Sequence, residues 1–289
     1  MTASNRDLAP CATYQFGISA LIMTPPPLPA PLIAPDEPPA VEVVNGRGRA
    51  PVLLVVDHAG RRFPRALGTL GVTGLDLERH IAWDIGAAAV ARHLAERFDA
   101  PAVLATYSRL VIDPNRPLSS PTLIPEESDG TPVPGNIGLT PAQRQARIET
   151  FHAPYHATVA EIIAGLRARG TAPAVLSIHS CTPVMNGFHR PWHVGVLWNR
   201  DPRIAVPLME MLAAGGDVCV GDNEPYSART GHGHTIETHA TPAGLPTVMV
   251  EVRQDLIGDE AGAAHWAGRL ARPLEPILSD PALYRAERY

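Results

Sequence analysis

Cysteine is scarce in this chain of 289 residues: Cys11, Cys181 and Cys219 are scattered, with no CxxC pair. A disulfide scaffold is therefore not what stabilises it, and a reducing compartment fits. A basic excess is missing too, since 24 Lys and Arg stand against 29 Asp and Glu, for a formal net charge of -5. Nucleic-acid-binding surfaces normally show the opposite balance or a Lys/Arg run, so no nucleic-acid partner is expected. No stretch of about 18 apolar, uncharged residues occurs, so no membrane span is expected either. Residues 14–23 are mildly apolar but follow no basic segment, and Leu8-Ala9-Pro10-Cys11 lacks the apolar run a lipoprotein signal needs. A cytoplasmic protein is the expectation, with Met23 as an alternative start. Three catalytic signatures are absent as well: a GxSxG elbow, a Walker loop, and GxGxxG after a strand. Serine hydrolase, nucleotide hydrolase and dehydrogenase readings are thus without support.

Proline, by contrast, is plentiful, and residues 25–39 read PPPLPAPLIAPDEPP. Such a segment favours extended polyproline II and cannot build a helix. It reads as an arm over residues 1–40, ahead of one α/β domain at 41–289 that is long enough to bury a core. Apolar, β-branched runs at 52–57 (VLLVVD), 174–179 (AVLSIH) and 247–252 (TVMVEV) are expected as buried strands. Further strands are expected at 102–106, 110–113, 193–198 and 217–220. Amphipathic spacing predicts helices at 84–98, from Pro141 behind a Thr140 cap to about 169, and at 260–277. Strands alternating with helices imply a three-layer α/β/α architecture around a mostly parallel or mixed central sheet.

In such sheets ligands gather at the carboxyl ends of strands. Polar residues collect where these strands end: Asp57 and His58, residues 113–116, His179 and Ser180, Asn199 and Arg200, residues 222–224, and residues 251–253. His58 and His179 each end a buried strand, which suits either two hydrogen-bonded structural imidazoles or two ligands of a hydrolytic zinc site. Such a site needs a carboxylate. Asp57 alternates with His58 and should face away from it while the strand continues. Asp84 is the chosen third ligand, with a role at the start of the following helix as its alternative. Arg109 suits an oxyanion, and Asn115 with Arg116 suits a carboxylate. The apolar residues between Arg109 and Arg116 suggest that both are strand-borne, with Asp113 orienting an arginine. Glu251, inside VMVEVRQ, is costly to bury without a purpose or a partner. It reads as a general base or as one half of an ion pair with an arginine. Arg253 lies two residues on, on the same face, and is a second carboxylate-binding candidate. His152 and His156 have the i, i+4 spacing of a helical metal site but lack the glutamate of HExxH, Ala153 standing there. They are not taken as primary ligands, nor are His232, His234 and His239.

The segments DHAGRRFP (57–64), HIAWDIGA (80–87), YSRLVIDPNRP (107–117), FHAPYH (151–156), LSIHS (176–180) and GLPTVMVEVRQDLI (244–257) resemble the N-formylglutamate amidohydrolase family. The likeness runs from about residue 50 to 278. That family is similar in fold to the zinc exopeptidases and aspartoacylases, a phosphorylase/hydrolase-like architecture. The resemblance implies one Zn2+ on His58 and His179, Arg109 at the oxyanion, Asn115 and Arg116 on the substrate carboxylate, and Glu251 as base. It further implies a small acidic N-acyl amino acid as substrate, N-formyl-L-glutamate cleaved to formate and L-glutamate in histidine degradation. One departure is that the wider exopeptidase pattern has His-x-x-Glu at the first ligand, whereas Arg61 stands at that position here. The acidic ligand must then come from elsewhere, with Asp84 the choice, or the metal site differs. An amidase or carboxypeptidase-like hydrolase for another N-acyl amino acid, and a non-catalytic binding protein for an acidic metabolite, are the alternatives.

Overall fold

Short, branched apolar runs make the sheet, and longer amphipathic ones cover it. The computed structural model describes residues 31–289. Cys11, the segment at 14–23, Met23 and the first part of the proline-rich arm lie outside the described residues. Strands β1 (Val41–Val44) and β2 (Val52–Val56) are followed by helix α1 (Ala87–Phe98) and strand β3 (Ala102–Ala105). A hairpin, β4 (Glu127–Ser128) and β5 (Thr131–Pro132), leads to helices α2 (Pro141–Arg147) and α3 (Ala153–Arg167), joined by a π-helical turn at Ile148–His152. Then come β6 (Ala174–Cys181), the hairpin β7 (Val184–Met185) and β8 (Phe188–His189), β9 (Val194–Leu197), and helix α4 (Ala205–Ala213). Strand β10 (Val220–Asp222), helix α5 (His234–His239), β11 (Thr247–Arg253) and helix α6 (Glu260–Ser279) complete the order.

The central sheet has seven strands in the order β1-β3-β2-β6-β11-β9-β10. Strands β3, β2, β6 and β11 run parallel, while β1 and β9 are antiparallel to their neighbours β3 and β11. Alternate residues point to opposite faces. Leu54, Leu176 and Val250 meet α1, α4 and α6 on one side. Leu53, Val175 and Met249 meet α3 and α5 on the other. The result is a three-layer α/β/α fold with a mixed sheet, as the alternation of runs implied. No helix among the described residues is long and apolar enough to cross a membrane. The described cysteines, Cys181 and Cys219, are free thiols.

Local chemistry explains the boundaries. Thr140 caps α2 with a reciprocal pair: its hydroxyl accepts from the Gln143 amide, and the Gln143 side chain accepts from the Thr140 amide. The first long helix begins at Ala87, not at residue 84, because Gly86 precedes it with φ at +80°. A Cβ at Gly86 would also lie 2.0 Å from the carbonyl oxygen of Ile257. Gly86→Ala is therefore expected to destabilise the protein by about 2 kcal/mol or more, read as a lower midpoint in chemical denaturation. An unchanged midpoint would show that this close approach relaxes freely.

Two expectations are corrected. Residues 110–113 form no strand. Leu110, Val111 and Ile112 are buried in a third apolar cluster with Leu70, Val72, Leu123 and Phe151, packed from turns and loops. A short buried run satisfies either arrangement, so periodicity could not separate them. Arg109 and Arg116 are consequently borne on an irregular segment. The strand expected at 217–220 is β10, two to three residues later. The described end of the proline-rich segment is tied down: the carbonyls of Pro38 and Pro39 accept from Tyr107 and Thr106, and Glu37 accepts from the Arg65 amide.

Candidate active site and metal centre

Four parallel strands end at one edge, and the polar residues that follow or finish them meet there. Strand β2 stops at Val56, and the chain turns sharply at Asp57 and His58. Gly60 permits this turn to press on β3, for a Cβ there would lie 1.9 Å from the Thr106 carbonyl oxygen. On the central strands, Glu251 of β11 sits in register with His179 of β6. A cavity of about 130 Å3 opens here, lined in part by His58, Asp84, Arg109, Arg116, His179 and Glu251. His80, Asn115, Ser180, Thr182, Tyr226 and His232 add to its polar wall.

His58, Asp84 and His179 are all buried, and each offers a ligand atom within 4.8 Å of the others. The Nδ1 of His179 is 2.7 Å from Asp84 Oδ2, and the Nδ1 of His58 is 3.3 Å from that same oxygen. A tetrahedral site with bonds of about 2.0 Å to nitrogen and oxygen spaces its donors by roughly 3.3 Å, so these atoms can hold one ion. The outer nitrogens also fit. His58 Nε2 is 2.7 Å from Asp113 Oδ1, and His179 Nε2 is 3.1 Å from Asp57 Oδ2, although off the line that a hydrogen bond needs. An imidazole with one nitrogen aimed at a ligand position and the other at a carboxylate is the usual outer support of a metal site. The Asp84 side chain makes no hydrogen bond to the first turn of α1; only its backbone carbonyl does, accepting from the Ala87 amide at 3.2 Å. Its carboxylate serves the two imidazoles and, at 3.4 Å, the Ser180 amide.

The electrostatics follow from this crowding. Burial alone would raise Asp84, but His58 and the hydrogen bonds from both imidazoles hold it well below the usual carboxylate range. Burial and Arg109 oppose protonation of His58, yet Asp113 and Asp84 outweigh them and raise it. His179 is raised further, its burial overcome by Asp57 and Asp84. Asp57, although buried, is held at about 2 by His179. Glu251 goes the other way. Burial pushes it up to about 7, Asp84 adds to the rise, and its Oε2 has no hydrogen-bond partner among the described residues.

The remaining residues divide. Arg109 Nη2 donates to Asp113 Oδ2 at 2.7 Å, and its Nη1 is 3.7 Å from Asp84 Oδ1. Asp113 thus orients an arginine as expected, and it also holds His58, which the sequence did not suggest. Asn115 Oδ1 accepts from the Thr235 amide at 3.2 Å, which leaves its NH2 group for the cavity. Arg116, partly exposed, keeps a loose 3.9 Å contact with Asp113. Arg253 is placed elsewhere: its guanidinium is taken up by Asp255 at 2.8 Å and by the Arg190 carbonyl at 3.2 Å, outside the cavity wall. Asn199 and Arg200 are also elsewhere, because β9 runs antiparallel to β11 and ends at the opposite edge. Asp57 does not face away from the site, since the strand ends before it. It accepts from Thr235 and Ser177 and faces His179. Tyr226, which carries no motif in the sequence, lines the cavity with its hydroxyl accepting from Arg190.

The family model for N-formylglutamate amidohydrolase matches residues 50–258. The N-formylglutamate deformylase of Pseudomonas aeruginosa is 25% identical over 252 residues, covering 81% of this chain and 92% of that protein. A solved gene product from Agrobacterium tumefaciens superposes with a TM-score of 0.83 at 42% identity, covering 86% of this chain and 98% of that one. The solved N-formylglutamate amidohydrolase from Ralstonia eutropha JMP134 gives a TM-score of 0.59 at 20% identity, covering 83% and 97%, which bears on the fold alone. With the matched region holding both histidines, Asp84, the arginine segment and Glu251, the chain belongs to the N-formylglutamate amidohydrolase family.

Proposed function

We propose that the chain hydrolyses the amide bond of a small acidic N-acyl amino acid, N-formyl-L-glutamate first, releasing formate and L-glutamate. The observation that carries this reading is the uncovered carboxyl of Glu251, buried on the wall of the cavity that also holds His58, Asp84 and His179. One Zn2+ on those three residues would supply Lewis acidity, polarising the scissile carbonyl and making water more acidic. Glu251, poised near neutrality, takes a proton from the attacking water on Oε2 and returns it to the amine nitrogen as the C–N bond breaks. Arg109, fixed by Asp113, presents its guanidinium where negative charge grows on the carbonyl oxygen. The free NH2 of Asn115 and the guanidinium of Arg116 receive the substrate carboxylate. Arg253, held by Asp255 and the Arg190 carbonyl, takes no part in binding the substrate carboxylate in this reading. A cytoplasmic, reducing setting suits the free thiols.

The test is formate release from N-formyl-L-glutamate by protein as purified, after chelation, and after zinc is restored. Activity lost on chelation and regained with zinc is expected. Zinc retained with no turnover would sink the substrate but not the hydrolase. A second reading has its own support. A neighbouring cavity of about 480 Å3 shares His232, Gly233 and Met249 with the first, and a movement of those residues that joined the two would give an acyl group larger than formyl room to extend. Comparing formyl, acetyl and peptidyl substrates separates these readings.

Metal uptake has a direction with pH. The raised values of His58 and His179 mean that both rings hold protons at pH values where a free imidazole, at 6.5, has lost them. An entering ion must displace those protons, while Asp84, held low, has none to give. Apparent zinc affinity is therefore expected to rise with pH from 6.5 upward, with up to two protons released per ion. Calorimetry in buffers of different ionisation enthalpy measures the release. No proton release at neutral pH would contradict the assignment of both imidazoles as ligands.

A further inference from the structure

A second group of imidazoles lies outside the cavity wall. His152 ends the π-helical turn, His156 sits one helical turn on in α3, and His234 and His239 belong to α5. We propose that His152, His156 and His234 form a second site for a divalent transition metal, separate from His58, Asp84 and His179.

Ligand atoms of the three residues all lie within 4.8 Å of one another. Their hydrogen bonds decide which nitrogens are free. His152 Nε2 is 3.0 Å from the Arg116 carbonyl oxygen, and His156 Nε2 is 2.9 Å from that of Pro114. A carbonyl can only accept, so both rings carry their proton on Nε2 and a lone pair on Nδ1. That is the tautomer and the backing that metal-bound imidazoles use. On His234, Nδ1 is 3.3 Å from the Thr238 hydroxyl, and Nε2 has no partner among the described residues. His156 Nδ1 is 2.8 Å from His239 Nε2, and with a lone pair on the first atom His239 is the donor. An ion on His156 Nδ1 displaces that single ring-to-ring hydrogen bond.

The donors are all imidazole, without a carboxylate, which selects Zn2+, Co2+, Ni2+ or Cu2+ over Mg2+ and Ca2+. The i, i+4 spacing supplies two of them from one helix face. Single π turns inside helices recur at functional sites, and here the π turn ends on His152. An ion at this place ties α3 to α5. It also steadies the two carbonyls, at Pro114 and Arg116, that bracket Asn115. The site is therefore structural, acting on the loop that meets the substrate.

The experiment strips the protein with a chelator and titrates it with Co2+, reading absorption and the metal content after gel filtration. Two ions per chain are expected. His234→Ala removes one side-chain hydrogen bond, to Thr238, and the ring contact with His156, and is expected to leave one ion; His152→Ala is expected to do the same, with circular dichroism confirming the fold of both. Asp84→Asn should leave the other ion in place. Two ions retained in His234→Ala overturn the proposal, as does a single wild-type ion that survives that change or is lost in both His234→Ala and Asp84→Asn. A single ion lost in His234→Ala but kept in Asp84→Asn upholds the second site and removes the reading of the first.

Discussion

Glu251→Gln is expected to keep the fold and the bound metal while losing about 100- to 10,000-fold in turnover, the usual worth of a positioned acid–base group. The amide matches the carboxylate in shape but cannot take a proton at Oε2. The loss should fall on turnover more than on KM, because Glu251 is assigned no part in gripping the substrate carboxylate. Stability should move the other way. The carboxyl rises from 4.5 to about 7 on folding, chiefly through burial. Between those values the folded chain holds a proton that the unfolded chain has released, so stability falls as pH rises through this window. The cost persists above it. In chelated protein at pH 8 the glutamine variant is therefore expected to be more stable by about 1–3 kcal/mol, measured by chemical denaturation. A variant that is less active and more stable marks a group kept for chemistry at the expense of packing. Near-normal turnover would sink the assignment, and the ion-pair alternative has no support from geometry, since Oε2 is unpartnered.

The strands that carry the site were legible because burial on both faces leaves an unbroken apolar run, and a polar residue ending such a run marks the sheet edge. This held at β2, which stops at Val56 just before Asp57. Strands β6 and β11 each run two residues past His179 and Glu251, which therefore sit near the strand ends and not at them. Strand direction leaves no such mark. Nothing in the residues of β9 says that it runs against β11, so Asn199 and Arg200 read as site residues although they end at the far edge. Residues 110–112 were misread for a related reason: a buried loop and a buried strand make the same demand on side chains, and three residues are too few for periodicity to decide. Arg253 shares a face with Glu251, as alternation requires, but a guanidinium follows its nearest acceptor, and Asp255 lies only two residues away. The supporting roles of Asp57 and Asp113 depend on contacts that cross the fold, His179 to Asp57 and His58 to Asp113, which no local pattern encodes.

Asp84→Asn is expected to lower metal affinity at the first site by at least about 100-fold, since loss of an outer partner alone typically costs 10- to 100-fold. The effect on the metal-free protein should be large as well. A single oxygen, Asp84 Oδ2, lies 2.7 Å from one imidazole and 3.3 Å from the other, and both rings are buried. Removing one partner of a buried charged cluster costs about 3–5 kcal/mol. The pH dependence identifies the cause. Asp84 is lowered from 3.8, so its contribution is present above that value and is lost as pH falls through the folded one. His58 and His179 are raised from 6.5, so theirs is fully present below 6.5 and is lost as pH rises through the folded values. Both conditions hold between 3.8 and 6.5, where chelated wild type and variant should differ most, and the gap should close at alkaline pH. Denaturation of both chelated proteins at pH 6 and pH 9, with metal content measured on the untreated ones, reads both effects. Unchanged metal content would return Asp84 to the role of a helix-start charge. The geometry speaks against that role, because the carboxylate reaches His58, His179 and the Ser180 amide and caps no residue of α1.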